Sequence, residues 1–308
     1  MTLDIRQDVP LALLTTFKIG GKAKYFVDVK SISEIREAIS WSKTRDIELV
    51  VLGGGSNVLV SDSGIDALVV HILLEGYDFG GGDNGVCAGV NLLSTIRGAS
   101  DATLGGWEKL AGIPGSVGGA IRGNAGAFGS EIKDFVTLVR AVNANTEEIK
   151  EFTNAECNFA YRHSYFKDHP EWIITDAEFM NLRGVDREES LNLIERTIAE
   201  REKRHLQNVQ AAGSFFMNPT APRHVQEMFE QEKNTSAREG RVPAGWLIEK
   251  AGMKGAKVGD AMASLQHPNY IVNTGRATSE DVRKLATDIK VAVHQQFGVT
   301  LTEEAAIF

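Results

Sequence analysis

Residues 24–30 interleave Tyr25, Phe26, Val27 and Val29 with polar positions, which predicts a strand. Ser31 follows, Glu34 stands three residues later as a capping-box partner, and Ile35, Ala38 and Ile39 recur at helical spacing, so a helix is predicted there. The run 47–52, apolar but for Glu48, predicts a second strand that leads straight into Gly53-Gly54-Gly55-Ser56-Asn57, and 58–60 predicts a third. This strand–helix–strand–glycine order fits a small α/β unit over residues 1–70.

A second section, 71–205, carries a short helix at 91–101, strands at 136–142 and 172–175, and a helix at 188–204 with Leu191, Ile194 and Ile198 on one face. In the third section, 206–308, short ordered pieces are expected at 246–249 and 269–272. Thr278 and Asp281 read as a capping box for a helix whose apolar stripe is Val282, Leu285, Ile289 and Val293, stopped by Gly298. A strand-like piece covers 299–308.

Composition changes this picture in one respect. The 308 residues are 43% hydrophobic and 24% charged, an ordinary globular mixture, but they include 31 glycines against 7 prolines. Twenty of those glycines fall between Gly53 and Gly129. The net charge of −8, from 33 Lys+Arg and 41 Asp+Glu, argues against broad nucleic-acid binding, which needs many cationic phosphate contacts. Cys87 and Cys157 have no metal-ligand spacing and read as reduced thiols, so no metal is expected. A charged N-terminus without an apolar core and the lack of a run of about 20 apolar residues predict a cytoplasmic protein with no membrane span.

The candidate chemistry begins with the glycine runs. A glycine turn after a buried strand lets backbone N–H groups approach a diphosphate; a tight hairpin is the alternative. The run 53–57 is neither a GxGxxG helix opening nor a Walker loop. A second dense run, 111–129, lies about 60 residues on, and the pair is suited to gripping an extended dinucleotide. Arg162, between Tyr161 and the aromatics Tyr165 and Phe166, is either an oriented cation or an ordinary surface arginine. Ser214, after Ala212-Gly213, is not a hydrolase elbow and, read alone, is a turn residue. Glu303-Glu304, read alone, is a solvated pair.

Taken in order, these segments are those of one family. The chain resembles the UDP-N-acetylenolpyruvoylglucosamine reductases, flavoenzymes of peptidoglycan precursor synthesis, over nearly its whole length. The matching segments are 16–21, 53–57, 112–129, 161–166, 213–219, 243–252, 267–273 and 301–304. The resemblance implies an α+β fold: an FAD-binding fold of the vanillyl-alcohol-oxidase/PCMH type in two subdomains, with a C-terminal α/β substrate-binding domain. It also implies non-covalent FAD, cradled by Gly53, Gly54, Gly55, Ser56 and Asn57 and by Gly115, Ser116, Gly118 and Gly119. NADPH is the implied co-substrate and UDP-N-acetylglucosamine enolpyruvate the implied substrate. FAD passes hydride from the first to the enolpyruvyl methylene of the second.

By the same resemblance Arg162 and Glu304 stabilise the enolate, Ser214 donates the proton, and Asn218, Arg241 and His267 contact substrate. The short interval between Arg162 and Ser214 matches the subtype without a substrate-covering insertion, and a monomer is the family expectation. Three positions depart from the pattern. Met217 stands where lysine is usual, leaving Arg241, Lys250 or Lys254 as substitute cations. Thr15 replaces asparagine, and Ala305-Ala306 replaces Val-Arg after Glu304, with Glu303 the fallback carboxylate. The competing functions are another FAD-dependent oxidoreductase of this scaffold and a non-catalytic binder of UDP-sugar or flavin. The run 53–57 has no histidine for covalent flavin attachment.

Overall fold

The computed structural model describes residues 3–79, 84–180, 182–204 and 208–308. The expected boundary at 205/206 falls outside these described residues. They divide into two compact units: 1–9, 23–55 and 66–203 form the first, and 10–22, 56–65 and 204–308 the second.

In the first unit, the segment near residue 24 becomes the strand Lys22–Val29. Ser31 accepts the Glu34 N–H at 3.2 Å and opens the helix Ile32–Lys43. The Glu34 carboxylate returns to the N–H of Lys30 at 2.5 Å, one residue before the position a capping box uses. Both donors are still satisfied, which is what a helix start requires. Ile35, Ala38 and Ile39 are buried as their spacing demands. Leu49–Leu52 pairs in parallel with Ile65–Ile72, Leu49 opposite Leu68 and Leu52 opposite His71. Parallel strands need a crossover. Residues 53–64 make it, so the glycine run sits at the point where the chain leaves the sheet. The strand order is Arg6–Pro10, Lys22–Val29, Ile65–Ile72, Leu49–Leu52.

A second, antiparallel sheet of the same unit has the order Ile149–Thr153, Val136–Asn143, Trp172–Phe179, Gly85–Cys87. Trp107, fully buried, packs on Phe179 with ring centroids 4.9 Å apart. The helices Leu92–Asp101 and Arg187–Lys203 lie close to the predicted spans, the former capped by Asn91, which accepts the Ser94 N–H at 3.1 Å.

The second unit has its own core, in which Phe17, Ile19 and Leu59 pack with Phe215, Phe216, Trp246, Leu285 and Ile289. Its antiparallel sheet runs Lys257–Val258, Ala261–Ala263, Ile271–Asn273. The helix Ser279–Phe297 starts on the Thr278/Asp281 capping box and ends at Gly298, whose φ of 65° is the left-handed value that favours glycine there. The expected strand over 299–308 shortens to Ala306–Ile307, which pairs in parallel with Val58–Leu59. Residues 302–304 instead bond to 215–217. Among the described residues, no helix is long and apolar enough to cross a membrane, and no group of three or more His, Cys, Asp or Glu could hold a metal.

Candidate active site

The two glycine runs meet in the first unit. A Cβ on Gly54 would lie 2.8 Å from Gly115 Cα and 3.0 Å from Ser116 N, and a Cβ on Gly53 would lie 2.8 Å from Ser116 Oγ. Real side chains cannot come that close to backbone, so glycine is required by the approach of one loop to the other. The hairpin alternative falls away, because Leu49–Leu52 and Val58–Leu59 belong to different sheets. Ser116 is buried and caps the six-residue helix Val117–Arg122, its Oγ accepting the Gly119 N–H at 3.4 Å. Gly118 donates to Ala88 O at 2.8 Å. Among the described residues, no acceptor in the chain meets the N–H groups of Gly54, Gly55 or Ser116. Bare backbone donors on closely apposed glycine loops are the donor set that a diphosphate takes.

Arg162 also belongs to the first unit. It sits in a tight turn closed by Ala160 N–H to His163 O at 3.0 Å and His163 N–H to Ala160 O at 3.1 Å. Its φ is +56°, a left-handed backbone that costs a non-glycine residue about 1 kcal/mol. The surroundings hold it there. Its Nη2 donates to Gly126 O at 2.9 Å and its Nη1 to Asn124 O at 3.5 Å. The fully buried Asn124 in turn donates Nδ2 to Ala160 O at 2.7 Å. The second glycine run thus steadies the guanidinium through neutral carbonyls. His163 contributes its backbone to this turn, while its ring pairs with Asp168 at 3.1 Å.

Ser214 and Glu304 belong to the second unit, on adjacent segments. The Glu304 N–H donates to Phe215 O at 2.8 Å, and Met217 N–H donates to Thr302 O at 2.9 Å. On the other side Phe215 N–H donates to Asn269 O at 2.7 Å. Gly213, with φ +74°, turns the chain into Ser214. Among the described residues, none takes up the Ser214 hydroxyl. Asn57 Nδ2 donates to Glu304 O at 3.3 Å, so the end of the first glycine run also holds the tail. Lys290 Nζ grips both Glu303 oxygens, at 3.0 and 3.2 Å.

The remaining candidates lie in the second unit too. Asn218 Oδ1 accepts the Ala244 N–H at 2.9 Å at the start of the helix Ala244–Lys250. Arg241 pairs with Glu239. Each substitute for a cation at Met217 therefore has a carboxylate of its own, since Lys250 pairs with Glu232 at 2.6 Å and Lys254 with Glu249 at 2.7 Å.

His267 is half-buried against Tyr270, and its Nδ1 is buried without a partner. Burial, with the charge of Arg204, pushes its pKa below the usual histidine value. The folded chain then binds a proton less readily than the unfolded one, so this group subtracts stability as pH falls below about 6.5. A His267→Asn variant is expected to lose less Tm between pH 7 and pH 5 than the parent. Equal losses by calorimetry would mean that the ring is not held neutral. Asn124, Asn269 and Lys290 escape a sequence reading, because each finds its partners across loops rather than within a motif.

Comparison with known proteins adds two family matches. Residues 23–152 match an FAD binding domain, and residues 204–308 match the C-terminal domain of UDP-N-acetylenolpyruvoylglucosamine reductase. Reductases of that name from Carboxydothermus hydrogenoformans and Synechococcus sp. are 37% and 32% identical, each over 98% of this chain and over 93% and 91% of the relative. The crystal structure of the UDP-N-acetylenolpyruvylglucosamine reductase from Thermus caldophilus superposes with a TM-score of 0.78 at 29% identity, covering 99% of this chain and 98% of that one. The expected α+β fold, a PCMH-like FAD-binding domain with a C-terminal domain, is that of this chain.

Proposed function

Since the chain belongs to the UDP-N-acetylenolpyruvoylglucosamine reductase family of FAD-dependent oxidoreductases, we propose that it reduces UDP-N-acetylglucosamine enolpyruvate to UDP-N-acetylmuramate with NADPH, in the cytoplasm. The observation that carries this reading is the pairing of the Ser214 segment with the Glu304 tail, through Glu304 N–H to Phe215 O at 2.8 Å. It brings the segments that carry the Ser214 hydroxyl and the Glu304 carboxylate side by side, with Asn57 bonded to the tail, which supports their acting on one substrate.

The apposed loops fit FAD. Gly53, Gly54, Gly55, Ser56 and Asn57, with Gly115, Ser116, Gly118 and Gly119, would hold its pyrophosphate. Bound there, FAD supplies the hydride that NADPH provides and the enolpyruvyl methylene carbon accepts. The chain does the rest. The Arg162 guanidinium meets the negative charge that spreads into the substrate carboxylate. One such preorganised donor is worth about 3–4 kcal/mol in the transition state. The Ser214 Oγ–H passes its proton to the carbon next to the reduced methylene and recovers one from solvent. Glu304 orients the carboxyl side of the same intermediate; Glu303, held by Lys290, is taken up elsewhere. Asn218, Arg241 and His267 contact the nucleotide portion of the substrate.

The test is anaerobic absorbance spectroscopy of purified protein. NADPH is expected to bleach the flavin bands, and UDP-N-acetylglucosamine enolpyruvate to restore them. Bleaching without recovery would leave a flavoprotein with another substrate, and a chain that binds no FAD would sink the reading altogether.

A further inference from the structure

Asn269 makes an unusual set of bonds for a residue that is 3% exposed. Its Oδ1 accepts the Phe216 N–H at 3.0 Å, and its Nδ2 donates to Phe216 O at 2.8 Å. Its own carbonyl accepts the Phe215 N–H at 2.7 Å. One side-chain amide thus serves both polar groups of one residue, as a neighbouring strand would. From the opposite side, Glu304 N–H bonds Phe215 O at 2.8 Å. The two residues after Ser214 are therefore held on both flanks. Before Ser214 stands Gly213, at φ +74°, which adds no side chain of its own to fix the turn. Further back the chain is tied as well, by Thr16 Oγ1 to Ala211 O at 2.7 Å and Asn273 N–H to Gln210 O at 2.9 Å, but the bonds nearest Ser214 are those at Phe215 and Phe216.

We propose that Asn269 is a positioning residue for the Ser214 proton donor. The proposal rests on the reading of Ser214 given above. The side chain need not touch substrate, since it acts through the Phe216 peptide. No other described residue bonds the Phe216 N–H or carbonyl through a side chain. Phe216 is itself buried, so removal of the amide strands a buried donor and acceptor. A buried amide that matched both polarities of an ordinary core turn would do no more than stabilise the fold. The distinction is whether its effect passes through Ser214.

The experiment is stopped-flow measurement of the two half-reactions in Asn269→Ala, Ser214→Ala and the double variant, each loaded with FAD. Asn269→Ala is expected to leave flavin reduction by NADPH within twofold and to slow reoxidation by UDP-N-acetylglucosamine enolpyruvate by 10- to 100-fold, roughly the cost of a displaced catalytic group. In the Ser214→Ala background the same substitution is expected to cost no more than twofold. Hydrogen–deuterium exchange of the 213–217 segment should quicken in Asn269→Ala, with FAD content unchanged. If Asn269→Ala does not accumulate as folded flavoprotein, Asn269→Gln keeps the amide but displaces it by one methylene, and is read in the same way. Equal slowing of both half-reactions, a full additional loss in the Ser214→Ala background, or unchanged exchange would overturn the proposal and leave Asn269 a structural residue. A Ser214→Ala protein that reoxidises at the parent rate would instead overturn the Ser214 reading itself.

Discussion

Ser214→Ala is expected to reduce UDP-N-acetylglucosamine enolpyruvate some hundredfold to ten-thousandfold more slowly than the parent, the usual span for a positioned general acid. Its flavin should still bleach with NADPH at close to the parent rate. The asymmetry follows from the role proposed for the hydroxyl. Hydride uptake from NADPH needs no proton from Ser214, whereas the enolate left on the substrate must be protonated at carbon. Among the described residues no group takes up this hydroxyl, and the two residues after it are held by Asn269 and the tail. The substitution removes one oxygen from a half-buried position and, among the described residues, breaks no hydrogen bond, so the fold should survive. Rapid-mixing absorbance separates the two half-reactions. Parent-like rates in both would remove Ser214 from the chemistry.

Gly54→Val is expected to lose FAD. Its Cβ would enter the space occupied by Gly115 Cα, and backbone cannot swing aside as the end of a flexible side chain can. Overpacking of this kind costs about 1–3 kcal/mol. If the strain falls on the cradle, that is roughly a 5- to 150-fold rise in the Kd for FAD. The variant should purify with weak flavin bands and reconstitute only with excess FAD. Gly85→Ala is the matched control, since a Cβ there meets nothing within 4 Å among the described residues, and it should stay within about 0.5 kcal/mol of the parent. A Gly54→Val protein with stoichiometric flavin and unchanged Kd would show that the apposed runs are packing and nothing more.

The elements legible beforehand are those whose signals are local. Ser31 with Glu34, Asn91 with Ser94, and Thr278 with Asp281 each cap a helix from within a few residues, and an apolar stripe completes the pattern. The strand Ile65–Ile72 is harder to see. It lies mid-sheet and is buried almost throughout, so it lacks the alternation that distinguishes a strand from other apolar runs. The helix Arg223–Lys233 is hidden for the opposite reason, with only Val225 and Phe229 buried. The site divides similarly. The glycine runs announce a close backbone approach from composition alone. Ser214 and Glu304, by contrast, are a turn residue and a charged tail until the fold pairs them, and only the ordered set of motifs points to them together. Asn269 carries no signal, because its partner stands 53 residues away, and Asn124 ties the nearby Glu131 and Lys133 to Ala160, 36 residues on, with no motif to mark it.

The interleaving of the two units has a consequence for synthesis. A nascent chain halted at residue 203 contains every residue of the first unit, but only 10–22 and 56–65 of the second. Phe17, Ile19 and Leu59, at most 2% exposed in the finished fold, would at that stage have no core to enter. Val58–Leu59 waits longer still, for Ala306–Ile307 to emerge. Pairings this distant along the chain are slow to form and leave sticky surface exposed meanwhile. The two segments that thread the N-terminal half into the C-terminal core are thus the natural clients of a ribosome-bound chaperone, and the places where a split gene or a circular permutation would cut most dearly.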